Sequence, residues 1–123
     1  MASGISKIEG AFSKAQDEAS YVLVGFLTCG DPSPKHTPKL VRALIDGGVD
    51  IVELGLPFSD PIADGPVIQA ADVRALESGN TPSSTFEIAR TIDGNVPIVL
   101  LTYFDRFFDM LLPGYSKADC GML

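Results

Sequence analysis

Glu53 stands in DIVELGLPF, a stretch otherwise made of residues that seek burial. A carboxylate in that company has two explanations. It works as an acid or base inside a walled site, or it turns outward toward a helix or a lysine. Asp60 and Asp64 follow in the segment PFSDPIADGP (57–66). Three prolines and a glycine in ten positions keep that segment out of regular structure. Both acids therefore sit in a loop directly after an apolar run, where α/β folds place function. Turn chemistry, in which Asp bonds nearby backbone groups, is the plainer explanation for them. Tyr103 ends a later apolar run at the corresponding level, either lining the same mouth or packing half-buried with its hydroxyl in water. Cys29 has no histidine close in sequence to activate it and reads as a small buried filler. His36, the single histidine, lies in a polar, proline-rich stretch and is given no role.

These residues need elements to position them. Ile8, Phe12, Ala15 and Ala19 recur at near-helical spacing and predict a short amphipathic helix over 5–19. YVLVGFLT (21–28) predicts a strand buried on both faces, broken by Gly30-Asp31-Pro32. A helix is expected over 34–46, with Leu40, Val41, Leu44 and Ile45 as its stripe and Gly47-Gly48 as its stop. VDIVELGL (49–56) predicts a second apolar strand. Helices are expected over 67–77 and from Thr81-Pro82 onward, the latter with a capping threonine and a proline in its first turn. Asp93-Gly94-Asn95 reads as a turn and VPIVLLTY (96–103) as a third buried strand. Apolar strands alternating with helices call for a parallel sheet with right-handed crossovers. Periodicity alone leaves an open doubly wound sheet and a barrel both standing.

The chain has 123 residues, with sixteen Asp and Glu against nine Lys and Arg, so its formal charge is −7. That balance argues against a nucleic-acid binder, which needs a basic face. Cys29 and Cys120 with one histidine are too few for a zinc site and too few for a disulfide scaffold. Neither G-x-G-x-x-G nor G-x-x-x-x-G-K-[ST] follows any strand, which removes the familiar nucleotide-binding readings. The first twenty residues lack the apolar centre of a signal peptide, and no run approaches the ~18 apolar residues of a membrane span. A single domain over 1–123 and a cytoplasmic location are expected.

The segment 53–69 reads E-L-G-L-P-F-S-D-P-I-A-D-G-P-V-I-Q. It resembles the tryptophan synthase α-subunit family, whose signature E-L-G-x-P-F-S-D-P-x-A-D-G-P-x-I-Q it matches at every fixed position. GFLTCGDP (25–32) and NVPIVLLTYF (95–104) are similar to that family's first and third strands. The resemblance implies a (β/α)₈ barrel and the retro-aldol cleavage of indole-3-glycerol phosphate to indole and glyceraldehyde 3-phosphate. It implies Glu53 as the catalytic acid/base and Asp64 as the acceptor for the indole nitrogen. Two carboxyls in different surroundings can hold the different protonation states such a step requires. Phe26, Ile68, Leu101 and Tyr103 are implied as the indole pocket. The resemblance also implies a β-subunit partner in an α₂β₂ assembly, faced by Pro57, Phe58, Ser59, Asp60 and Pro61. Pyridoxal phosphate would belong to that partner, and no cofactor or metal is expected on this chain.

A (β/α)₈ barrel takes about 250 residues, so the resemblance covers the first three to four β/α units, a fourth strand beginning at 120–123. The acid/base pair and part of the indole pocket are expected here, and the phosphate-holding loops of the later half are not. A non-catalytic half-barrel, or a truncated relative that only docks on a β subunit, is the alternative. So is another barrel enzyme acting on a phosphorylated sugar. Two positions depart from the family's usual pattern. Asp105-Arg106 replaces asparagine, often followed by proline, and Asp72 stands where asparagine is common.

Overall fold

The three apolar runs become three parallel strands. The computed structural model describes residues 3–92, 94 and 96–103. In chain order the elements are α1 (Gly4–Asp17), β1 (Val24–Thr28), a single 3₁₀ turn (Pro34–His36) and α2 (Thr37–Asp46). They continue with β2 (Ile51–Gly55), α3 (Pro66–Glu77), α4 (Pro82–Thr91) and β3 (Ile98–Leu101). The sheet order is β1-β2-β3, so the central strand is bonded on both sides. Glu53 lies between Phe26 and Val99, and Gly55 between Thr28 and Leu101.

Alternation along β2 separates the two faces. Val52 and Leu54 are fully buried and form the core with Val41 of α2 and with Val49. Leu27, Leu44, Ile45, Ala89 and Ile98 pack around them. Glu53 and Gly55 leave by the opposite face, because successive strand residues point to opposite sides.

The helix boundaries follow local chemistry. Prolines 34 and 38 supply no amide hydrogen, so the stretch expected as one helix over 34–46 starts with the 3₁₀ turn, and α2 begins at Thr37. The start of α4 is a capping box: the Ser84 amide donates to Thr81 Oγ1 at 3.1 Å, and the Thr81 amide donates to Ser84 Oγ at 2.7 Å. For α1 the sequence suggested an apolar side, yet none of its residues is buried and Phe12 is 56% exposed. It is capped by Ser3 and tied to the body where the Lys7 ammonium donates to the Gly94 carbonyl.

Two strands are less buried than expected. The first run pairs only from Val24, leaving Tyr21 92% exposed and Leu23 on the surface. Among the described residues β1 and β3 each have one strand neighbour, so burial on both faces is reached only by the central strand. The expected turn at 93–95 is described only at Gly94. Cys120, Asp105-Arg106 and the expected fourth strand lie outside the described residues.

A buried polar knot fastens the end of β1 to the helices. The Gly30 amide donates to Thr37 Oγ1 at 2.9 Å, and Asn80 Nδ2 donates to Thr85 Oγ1 at 2.9 Å. Ser84 Oγ donates to Asn80 Oδ1, and the Cys29 thiol sits in hydrogen-bonding contact with Thr37 and Thr85. Gly30 has φ +92°, and a Cβ there would lie 2.5 Å from Asn80 Cβ, so only glycine fits. Cys29 is fully buried, as its reading as a filler anticipated, and burial raises its thiol pKa. On the surface Arg74 of α3 grips Asp31 with two bonds of 2.9 Å.

No helix among the described residues is long and apolar enough to cross a membrane. Among the described residues Leu54 is the largest fully buried side chain. Its truncation in Leu54→Ala should cost about 2–5 kcal/mol, read as a lower urea midpoint with an unchanged slope.

Candidate active site

The C-terminal ends of the three strands open onto a cavity of about 310 Å³, at the small end of the ~300–1,000 Å³ usual for ligand pockets. Its walls come from every strand. Phe26 of β1, Gly55 of β2 and Leu101 of β3 share the face opposite the core, and Ile68 and Asp72 of α3 approach from the side. Tyr103, Ala63 and Asp64 complete the rim. Gly55 is what gives the aromatic wall its place: a Cβ would lie 2.8 Å from Phe26 Cζ.

All four residues assigned to the indole pocket, and Asp64, therefore line one cavity. Glu53 is not in its lining. It occupies the same face two residues before Gly55, one pleat repeat of about 6.6 Å deeper, flanked by Phe26 and Val99. Its side chain is partly buried.

The second half of the loop between β2 and α3 is held by Tyr103 on one side and by α3 on the other. The Tyr103 hydroxyl accepts from the Ala63 amide at 2.9 Å and donates to Asp64 Oδ2 at 3.0 Å. That hydroxyl was expected either to line the mouth or to rest in water; it lines the mouth, and it is bonded to the loop. Desolvation, with the neighbouring Asp64 carboxylate adding to it, raises the phenol's pKa, while the Ala63 amide acts the other way. Gln69 Nε2 donates to the Asp64 carbonyl at 2.7 Å and more distantly to that of Pro61. The Asp64 main-chain amide also closes a turn by donating to the Pro61 carbonyl at 3.1 Å, while its carboxylate is bonded to Tyr103 and not to the turn.

Among the residues assigned to face a partner, Phe58 is half-buried and stacks on Tyr103, with ring centroids 4.8 Å apart and planes 20° apart. Pro57 and Pro61 are partly buried, whereas Ser59 and Asp60 are exposed. His36 is exposed, with Nδ1 2.6 Å from Ser33 Oγ. Among the described residues no three His, Cys, Asp or Glu side chains gather where a metal ion could be held.

The sequence reading noted Asp72 only as a departure from the family's pattern and missed that it lines the cavity. It lies one helical turn beyond Ile68 on the buried stripe of α3 with Ala71 and Ala75, and it is only 3% exposed. An acid at a core position of an amphipathic helix was the available signal. Burial and the nearby Asp64 charge push its pKa up to about 6, against the pull of a hydrogen bond from the Phe58 amide.

A parallel sheet with helices on its outer face, and a pocket built at the strand C-termini with the following loops, is the arrangement found in part of a (β/α)₈ barrel, and the described residues supply three of its strands. The family profile described as tryptophan synthase alpha chain matches residues 12–113. The chain belongs to the tryptophan synthase alpha chain family. It is 50% identical over 103 residues to the tryptophan synthase alpha chain of Solibacter usitatus, covering 82% of this chain and 39% of that one. Against the one from Methanopyrus kandleri it is 51% identical over 115 residues, covering 90% and 42%. The crystal structure of tryptophan synthase subunit alpha from Legionella pneumophila superposes with a TM-score of 0.81 at 34% identity, over 84% of this chain and 40% of that one. The chain thus spans about two fifths of the length of the relatives it matches.

Tyr103→Phe deletes the acceptor for the Ala63 amide and the donor to Asp64. We expect a loss of about 0.5–1.5 kcal/mol for each net hydrogen bond, seen as faster hydrogen exchange at the Ala63 amide. Unchanged exchange there would show that the hydroxyl does not anchor the loop.

Proposed function

We propose that this chain supplies the acid/base machinery of an indole-3-glycerol phosphate lyase, which releases indole and glyceraldehyde 3-phosphate. The observation that carries the reading is one cavity joining flat apolar walls to a fixed carboxylate. Phe26, Ile68 and Leu101 suit a bicyclic aromatic ring, and Asp64 at the rim suits its N–H. Membership of the family supports the assignment.

In this reading Glu53 gives a proton to the ring carbon bearing the glycerol chain, and Asp64 receives the hydrogen bond of the ring nitrogen. The bond between ring and chain then breaks, its electron pair returning to the ring. The Glu53 carboxylate left by the first step takes the proton of the chain hydroxyl, which becomes the aldehyde. Negative charge never accumulates on the ring carbon because it is protonated first, and Asp64 at the nitrogen offsets the positive charge this creates. The substrate phosphate would be held by parts of the barrel supplied outside these residues.

The loop bearing Ser59, Asp60 and the 81% exposed Ile62 supports a second element of the proposal, contact with a tryptophan synthase β subunit. Pyridoxal phosphate is assigned to that partner and not to this chain.

Glu53→Gln, made in the polypeptide that completes the barrel, should lower indole release by about 10²–10⁴-fold while substrate binding persists. Near-normal turnover would remove Glu53 from the mechanism. Binding to a β subunit with no indole release from the unsubstituted protein would leave only the docking role.

A further inference from the structure

Asp72 projects from α3 into the same cavity as Asp64, and it is the most deeply buried acid of the site. Its carboxylate accepts the backbone amide of Phe58. The Phe58 ring stacks on Tyr103, and the Tyr103 hydroxyl holds Asp64. Three residues further back on the helix, Gln69 holds the Asp64 and Pro61 carbonyls. One turn of α3 therefore carries a tie to the start of the loop and a tie to its end.

We propose that Asp72 is a positioning residue, which by holding the Phe58 amide fixes the aromatic stack on Tyr103 and with it the placement of Asp64. The proposal deepens the lyase reading, and its effect on turnover rests on that reading. The tie itself does not.

Ionisation makes the tie adjustable. Asp72 is neutral below about pH 6 and anionic above it, chiefly because burial disfavours its charge and secondarily because Asp64 is near. Around the cavity the loop contributes Asp64, with Asp60 exposed beyond it, and β3 leads into Tyr103. Strand β2 contributes Glu53 on the same face, and β1 contributes only uncharged Phe26 and Thr28. On α3 itself Arg74 is engaged with Asp31, and Glu77 is exposed. A charged acceptor bonds an amide more strongly than a neutral one. The hold on Phe58 accordingly tightens as pH rises through about 6. The sign for stability is opposite: an acid whose folded pKa is raised favours the folded state at low pH, and that benefit is lost as pH climbs through about 6.

The test is the Phe58 backbone amide followed by NMR across pH 4.5 to 8 in the full chain. Its shift should inflect near pH 6 in the unsubstituted protein. In Asp72→Asn, which keeps an acceptor but has no proton to lose, the inflection should vanish while the fold is kept. In Asp72→Ala the amide should exchange at least about tenfold faster. An inflection that survives Asp72→Asn, or protection that survives Asp72→Ala, overturns the proposal. Rates of indole release, measured with and without the substitution in the polypeptide that completes the barrel, separate the two readings. If Asp72→Asn removes the inflection but neither protein cleaves the substrate, the positioning role stands and the lyase reading falls. If both cleave and the inflection survives, the lyase reading stands and the positioning role falls. If both stand, Asp72→Asn should flatten the acid limb of kcat near pH 6 and leave KM within about twofold.

Discussion

Strand β2 is bonded on both sides, and the two-residue alternation this imposes sends Val52 and Leu54 one way and Glu53 and Gly55 the other. Everything else is arranged around that division. The outward pair makes the core against α2 and α4; of the inward pair, Gly55 lines the cavity and Glu53 stands one pleat repeat deeper on the same face. A slip of one residue would put a carboxylate into the core and a leucine into the cavity. Apolar burial on one face thus fixes where an acid stands on the other. The register of the sheet is held mostly by residues that take no part in the chemistry proposed for it.

The loop after β2 gains its shape from outside itself. Three prolines and short polar residues give it no ladder of its own, so its carbonyls and amides are answered by Tyr103, Gln69 and Asp72. Two of the three sit on α3, the helix that the loop leads into. Helix and loop are consequently one unit, with the aromatic pair Phe58 and Tyr103 joining it to the third strand.

Much of this was legible in the residues. Helical spacing and cap chemistry placed α2 to α4, and the apolar runs placed the strands, because burial and capping are local signals. The stretch 53–69 carried Glu53 and Asp64 in a continuous motif. What escaped was whatever depends on neighbours distant in sequence. The exposure of Tyr21, Leu23 and Leu101 depends on which strands stand beside β1 and β3. The bond between the Tyr103 hydroxyl and Asp64 spans 39 positions, and no spacing rule announces it. Asp72 was noticed only as an unexpected residue type; its contact with Phe58 appears once the loop is folded back over α3.

The knot at the end of β1 has a consequence for how this sequence can drift. Thr37, Asn80, Thr85 and the Gly30 backbone answer one another's hydrogen bonds out of reach of water. Changing one member alone strands the next, and an unanswered buried polar group costs about 1–3 kcal/mol, a large share of the ~5–15 kcal/mol by which a domain is stable. Changing two together into well-packed apolar residues carries much less penalty. Single steps away from this arrangement are steep while paired steps are shallow. The positions are therefore free to move only in company, and a lineage that lost one of them would be pressed to replace its partner soon after.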